Sequence, residues 1–129
     1  MNKFVIDAYA WIEYFAGTKL GEEVKKIIEN PDNLISTNII TIAELSSYFE
    51  RKGYNFNDFK KILLSLSSLY FIDLEFAEDA GLLHAEIKSK NRHFGLADTF
   101  VLLTAKRLNA KVLTGDEDFR NIKEAILIK

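Results

Sequence analysis

Apolar and polar positions along this chain follow two periods in turn. Phe4-Val5-Ile6 is an unbroken apolar run that stops at Asp7, as expected of a short strand, Lys3–Ile6, buried on both faces. Tyr9–Ala16 then carries Trp11, Ile12 and Phe15 at helical spacing. Lys19–Glu29 sets Leu20, Val24, Ile27 and Ile28 on one face against Glu22, Glu23, Lys25 and Lys26 on the other, an amphipathic helix. After the turn residues Asn30-Pro31-Asp32-Asn33, Leu34–Ser36 reads as a second strand, and Ile40–Lys52 as a helix stopped by Gly53. Asn57 is placed to cap a helix running to about Ser67, ahead of an extended Leu69–Asp73. Phe76–Lys90 and Leu96–Leu108 read as helices, Lys111–Thr114 as a strand ending at Gly115, and Ala125–Ile128 as a short last strand. Strands that alternate with helices and are apolar throughout predict an α/β fold, a parallel sheet covered on both faces. In such sheets ligands bind beyond the carboxyl ends of the strands, so the residues just after each strand carry the functional question.

Composition narrows the class. The 129 residues suit one domain, 1–129, and 48% hydrophobic with 28% charged residues is the balance of a globular protein. Cysteine is absent, which removes disulfides and thiolate metal sites and agrees with a reducing, cytoplasmic setting. The apolar run after Met1-Asn2-Lys3 is too short for a secretion signal, and the longest one, Ile62 to Ile72, is interrupted by serines and too short to span a membrane. No internal repeat or flexible linker appears, and no Gly-rich loop follows the first strand, which excludes dinucleotide binding. A phosphoryl-accepting receiver would need an acidic pair near Asp7, which Ala8-Tyr9-Ala10 does not offer.

Four acids stand where the site belongs. Asp7 directly follows the first strand, and Asp116 follows the strand Lys111–Thr114 by two residues. Glu44 lies in the helix after the second strand, and Asp98 in the first turn of the helix after Gly95. Each has an ordinary explanation: Asp7 a helix N-cap, Glu44 a solvated helix face, Asp98 a complement to the helix dipole, Asp116 and Asp118 turn residues beside a glycine. Together at one sheet edge they would repel unless a hard cation sat among them, and oxygen-only ligation suits Mg²⁺ or Mn²⁺. The net charge of −2 is compatible with a nucleic-acid enzyme, because setting those four acids aside leaves 15 acids against 17 bases.

The company of these acids is more specific. Phe4-Val5-Ile6-Asp7 with Trp11-Ile12 and Phe15 after it, Thr41-Ile42-Ala43-Glu44-Leu45, Gly95-Leu96-Ala97-Asp98-Thr99, and Leu113-Thr114-Gly115-Asp116-Glu117-Asp118-Phe119 occur in that order along the chain. In these segments the whole chain resembles the PIN-domain ribonucleases, in particular the VapC-type toxins of type II toxin–antitoxin pairs. The resemblance implies a three-layer α/β/α PIN-like fold with a central parallel sheet and Mg²⁺- or Mn²⁺-dependent endonucleolytic cleavage of single-stranded RNA. It implies a homodimer inhibited by a small antitoxin protein. It places Asp7, Glu44, Asp98 and Asp116 as catalytic metal ligands, with Thr114 and Asp118 supporting them from behind.

Around that site, Lys88, Lys90, Arg92 and His93 form a basic segment suited to phosphate contacts, or equally a solvated helix end. His84, beside Leu82 and Leu83, reads as a packing or surface residue. Tyr48, Phe49, Tyr54, Phe56 and Phe59 are dense enough to furnish core and also part of a dimer interface or a partner groove. Two readings compete with the toxin: a housekeeping PIN nuclease in RNA processing, and a non-catalytic RNA-binding or interaction module on the same fold.

Overall fold

The two central strands of the sheet, after an exposed lysine at the start of each, consist of residues buried on both faces. In the computed structural model, which describes residues 1–129, β1 (Lys3–Ile6) buries Phe4 and Ile6 on one face and Val5 on the other, the period of two expected of a strand. β4 (Lys111–Thr114) repeats the pattern, with Leu113 on the first face and Val112 on the second. β2 (Leu34–Asn38), β3 (Ser68–Tyr70) and β5 (Ala125–Leu127) complete a five-stranded, all-parallel sheet in the order β3-β2-β1-β4-β5.

Two hydrophobic clusters lie on opposite faces of this sheet. On one face, α1 (Ala8–Ala16), α2 (Lys19–Ile28), α3 (Ile39–Arg51) and α4 (Phe56–Leu66) bring Trp11, Val24, Ile28, Leu45, Phe49 and Leu63 onto Phe4, Ile6 and Leu113. On the other, α6 (Leu96–Leu108) packs Val101, Leu102 and Ala105 against Val5 and Val112, with Leu83 and Ile87 of α5 (Leu74–Lys88) at its margin. The result is the three-layer α/β/α arrangement around a parallel sheet. The aromatic residues around Gly53 mostly serve the first cluster: Phe49 is buried and stacks on Phe59 at 4.3 Å, while Tyr54 remains exposed.

Element ends differ from the sequence expectation where a polar side chain finds a hydrogen-bond partner, remote in β2 and local at the helix caps. β2 continues through Thr37 and Asn38, both fully buried, because their polar groups are satisfied. Thr37 Oγ1 accepts from Trp11 Nε1 at 3.1 Å, and Asn38 Nδ2 donates to Thr104 Oγ1 at 2.8 Å while its Oδ1 caps α3. α4 is capped by Asn55 rather than Asn57, Asn55 Oδ1 accepting from the Asn57 amide at 3.0 Å. α5 starts at Leu74 because Asp73 caps it through the Phe76 amide at 2.8 Å.

The strand order also defines the crevice. From β1 the chain moves outward to β2 and β3, then crosses back to β4 on the other side of β1 and outward to β5. Connections leave β1 and β4 in opposite directions, which opens a gap at their carboxyl ends, the usual ligand position in such sheets. No helix is long and apolar enough to cross a membrane.

Candidate active site

Asp7 leaves β1 into that gap and does two jobs. Its Oδ1 accepts from the Ala10 amide at 2.9 Å, so it is the N-cap of α1, and its Oδ2 accepts from the Thr114 hydroxyl at the end of β4. Thr114 Oγ1 in turn accepts from the Asp116 amide at 3.0 Å, and Asp116 Oδ1 accepts from the Asp118 amide at 2.9 Å. A chain of hydrogen bonds therefore runs from β1 across β4 into the short 3-10 turn η1 (Glu117–Phe119), and it fixes where three of the acids stand. The ordinary cap role of Asp7 and its place in the acidic site are both present.

Asp98 enters from the first turn of α6, whose N-cap, Gly95, supplies no side-chain hydrogen bond. Asp98, Asp116 and Asp118 each offer one carboxylate oxygen, and these oxygens lie within 4.8 Å of one another. Asp118, expected behind the ligands, thus shares the central group, with Asp7 and Glu44 beside it. Glu44, from α3, is half-buried and feels the charges of Asp98 and Asp116.

The electrostatic cost of this grouping falls on the buried members. The Asp7 carboxyl, 5% exposed, is pushed up to about 7, chiefly by burial, with the charges of Asp98 and Asp116 adding to it against the hydrogen bonds from Thr114 and Ala10. Burial likewise lifts Glu44 to about 6, helped by Asp98 and Asp116. Asp98 rises to about 6 through burial and the charge of Asp116, opposed by the Gly95 backbone. A divalent cation among these acids would remove the repulsion and replace lost hydration. The donor set is all oxygen, which fits Mg²⁺ or Mn²⁺ better than a softer metal.

Tyr9 was not anticipated as part of the site. Its ring lies against Gly115, where a Cβ would stand 2.3 Å from Tyr9 Cε1, so glycine at 115 is what admits the ring beside the loop that carries Asp116. The basic segment divides. Lys88 Nζ donates to the Arg92 carbonyl at 3.0 Å and is spent on holding the loop. Lys90, Arg92 and His93 instead line an open cleft of about 590 Å³ whose wall also includes Asp118. His84, half-buried, has Nε2 3.1 Å from the Phe94 carbonyl, a structural tie.

Comparison with known proteins identifies the fold that carries these residues. The PIN domain family model matches residues 4–125. The chain belongs to the PIN domain family. No curated protein matches it by sequence. Among solved structures, this PIN domain is similar to a chain of a toxin–antitoxin complex from Klebsiella pneumoniae (22% identity, 95% of this chain and 94% of that one, TM-score 0.73). It is similar to a chain of VapBC2 from Rickettsia felis bound to a DNA fragment from their promoter (20% identity, 97% and 96%, TM-score 0.74). A third is VapC20 of Mycobacterium tuberculosis, a sarcin-ricin loop cleaving toxin (12% identity, 93% and 95%, TM-score 0.73). At these identities the likeness is one of fold.

Proposed function

We propose that this PIN domain is a metal-dependent endoribonuclease that cleaves single-stranded RNA, and that it is the toxin of a toxin–antitoxin pair. One observation carries the catalytic part: Asp98, Asp116 and Asp118 converge to within 4.8 Å beside Asp7 and Glu44, in the crevice between β1 and β4. A pure binding module has no use for carboxylates held at such a cost.

Asp7, Glu44, Asp98 and Asp116 are the proposed catalytic ligands for Mg²⁺ or Mn²⁺, and Asp118 joins them on geometry. A divalent ion held there supplies Lewis-acid stabilisation of phosphodiester charge and lowers the pKa of water. Thr114 orients Asp7 and Asp116 through its hydroxyl. Glu44, half-buried on α3 and within the field of Asp98 and Asp116, completes the acidic wall that would hold the ion. Hydrolysis of this kind leaves 5′-phosphate and 3′-hydroxyl ends. Lys90, Arg92 and His93 hold the RNA backbone beside the acids.

The toxin role is supported by the fold shared with toxin–antitoxin proteins. An antitoxin segment has apolar surface to meet on α4, where Tyr54, Ile62 and Leu64 are exposed at the helix and its approach. A homodimer is proposed through the β3–α5 edge, where Phe71, Leu74 and Leu82 are each about 70% exposed or more. With RNA as its substrate and antitoxin as its partner, the protein is placed in the cytoplasm.

The test is cleavage of a defined single-stranded RNA with and without Mn²⁺, beside Asp98→Asn. Metal-dependent internal cuts with 5′-phosphate ends, reduced about 100-fold or more in the variant while its circular dichroism is unchanged, are expected. Wild-type rates in Asp98→Asn would overturn the assignment.

A further inference from the structure

The cleft beside the acids has features that phosphate contacts alone do not need. It lies between the end of α5 with the loop that follows it and η1 with the residues that follow it. Its volume of about 590 Å³ is in the range of sites for small molecules the size of a nucleotide. Ile87 and Ile122 give it apolar surface, half-buried and packed on the second hydrophobic cluster. Arg92 and His93 contribute planar cationic or aromatic groups, and Asn121, exposed on the same wall, an amide with one acceptor and two donors.

The cleft is built rather than incidental. Phe94, fully buried, packs edge-on against Phe119 at 5.0 Å and so joins the loop to η1. Asn91 spans the same gap: its Nδ2 donates to the Asp118 carbonyl at 3.4 Å and its Oδ1 accepts from the His93 amide at 3.1 Å. His84 holds the Phe94 carbonyl from behind. The charge inside it is available as well. Glu117 is occupied by Arg120 through contacts of 2.6 and 2.7 Å, whereas Lys90, Arg92 and His93 take part in no ion pair. Asp118 belongs both to this wall and to the three-carboxylate group, so the cleft adjoins the acids.

We propose that this cleft is a base-reading subsite: it seats the nucleoside next to the scissile phosphate, with the base on Ile87 and Ile122 and its polar edge toward Asn121. Unstacked bases of single-stranded RNA are recognised in this way, by packing on apolar, aromatic or guanidinium surfaces and by hydrogen bonds to their edges. Arg92 and Lys90 neutralise the adjoining phosphate. The subsite rests on the ribonuclease reading, yet its occupancy is measurable without metal or cleavage.

The experiment has two arms. In the first, ¹⁵N-labelled protein in EDTA is titrated with the four 5′-mononucleotides and, separately, with inorganic phosphate. At least one nucleotide is expected to shift the amides of Asn91, Asn121 and Ile122 and to saturate in the millimolar range, with Asn121→Glu weakening it about tenfold. No shift there with any nucleotide, equal shifts with inorganic phosphate, or unchanged affinity in Asn121→Glu overturns the subsite. In the second arm, cut sites are mapped on a randomised RNA with Mn²⁺. The wild type should prefer one base at a position flanking the cut, and Asn121→Ala and Arg92→Ala should flatten that preference and raise KM. The same preference and KM in both variants overturns the subsite and leaves the ribonuclease standing. If the wild type cuts no RNA, the ribonuclease reading fails, and the first arm still decides the cleft.

Discussion

Thr114 is the residue on which the site's geometry turns. Its hydroxyl donates to Asp7 and accepts from the Asp116 amide, so one oxygen ties β1 to the loop after β4. That donated bond also holds the Asp7 carboxyl lower than burial alone would leave it. Thr114→Val, nearly the same shape without the hydroxyl, should therefore raise the Asp7 pKa and carry the acidic limb of the pH–rate profile to higher pH. Thr114→Ser should restore it. An unchanged limb in the valine variant would remove Thr114 from the positioning role. Sequence reading proposes Asp7 and Asp116 because they follow strands, Asp98 because it opens a helix, and Glu44 because it lies in the helix after the second strand. It does not show Asp118 among the central acids, since residues two apart in a turn have no fixed separation until the Asp118 amide bonds Asp116 Oδ1 at 2.9 Å. Nor does it show Tyr9 in the site, because only packing brings its ring onto Gly115.

At the scale of elements, the helix pair α1–α2 depends on one close approach. A Cβ added at Gly21 would meet the Glu13 carbonyl oxygen at 2.0 Å, and a backbone oxygen cannot swing aside as a long side chain can. Gly21→Ala should separate the two helices and cost about 1–3 kcal/mol, seen as a lower urea midpoint with little change in slope. Full stability in that variant would show that the pair slides freely. Helix periods were legible throughout, because each helix has a face that must be buried. Ends were less legible: Asn55 and Asn57 both suit an N-cap by type, and the choice of Asn55 depends on how the chain leaves Gly53. The second strand looked shorter than it is because Thr37 and Asn38 are polar, and their burial is tolerable only through Trp11 and Thr104, far away in sequence.

For the whole molecule, the raised carboxyls couple the site to stability. Asp7 binds its proton up to about pH 7 when folded and only to about 3.8 when unfolded, so the folded state holds more protons between these values. Stability of the metal-free protein must then fall as pH rises from about 4 to about 7, by up to about 4 kcal/mol from Asp7 alone. Glu44 and Asp98, both lifted to about 6, act in the same direction over a narrower window. In EDTA the melting temperature should therefore drop between pH 5 and pH 8 by these groups, Mn²⁺ should restore it at pH 8, and Asp98→Asn should blunt the drop. A melting temperature in EDTA that rises across that interval, with no response to Mn²⁺, would contradict the coupling. The proposed homodimer is tested at the same scale: light scattering should give a dimer for the wild type and a monomer for Leu82→Glu at the exposed β3–α5 edge, and a monomeric wild type or a dimeric variant would overturn that interface.

The sequence alone determined the α/β class and the order of strands and helices, because burial periodicity is a local property of the chain, and it proposed four acids from their places along that order and the company they keep. Tertiary structure decided the rest. The order β3-β2-β1-β4-β5 puts Asp7 beside Thr114, 107 residues away, and creates the crevice between their strands. It draws Asp118 into the carboxylate group and raises Asp7 by burying it. It also builds a cleft from the loop after α5 and the turn after β4. Those are distances and desolvation between segments far apart in the chain, and they acquire values only when the sheet closes.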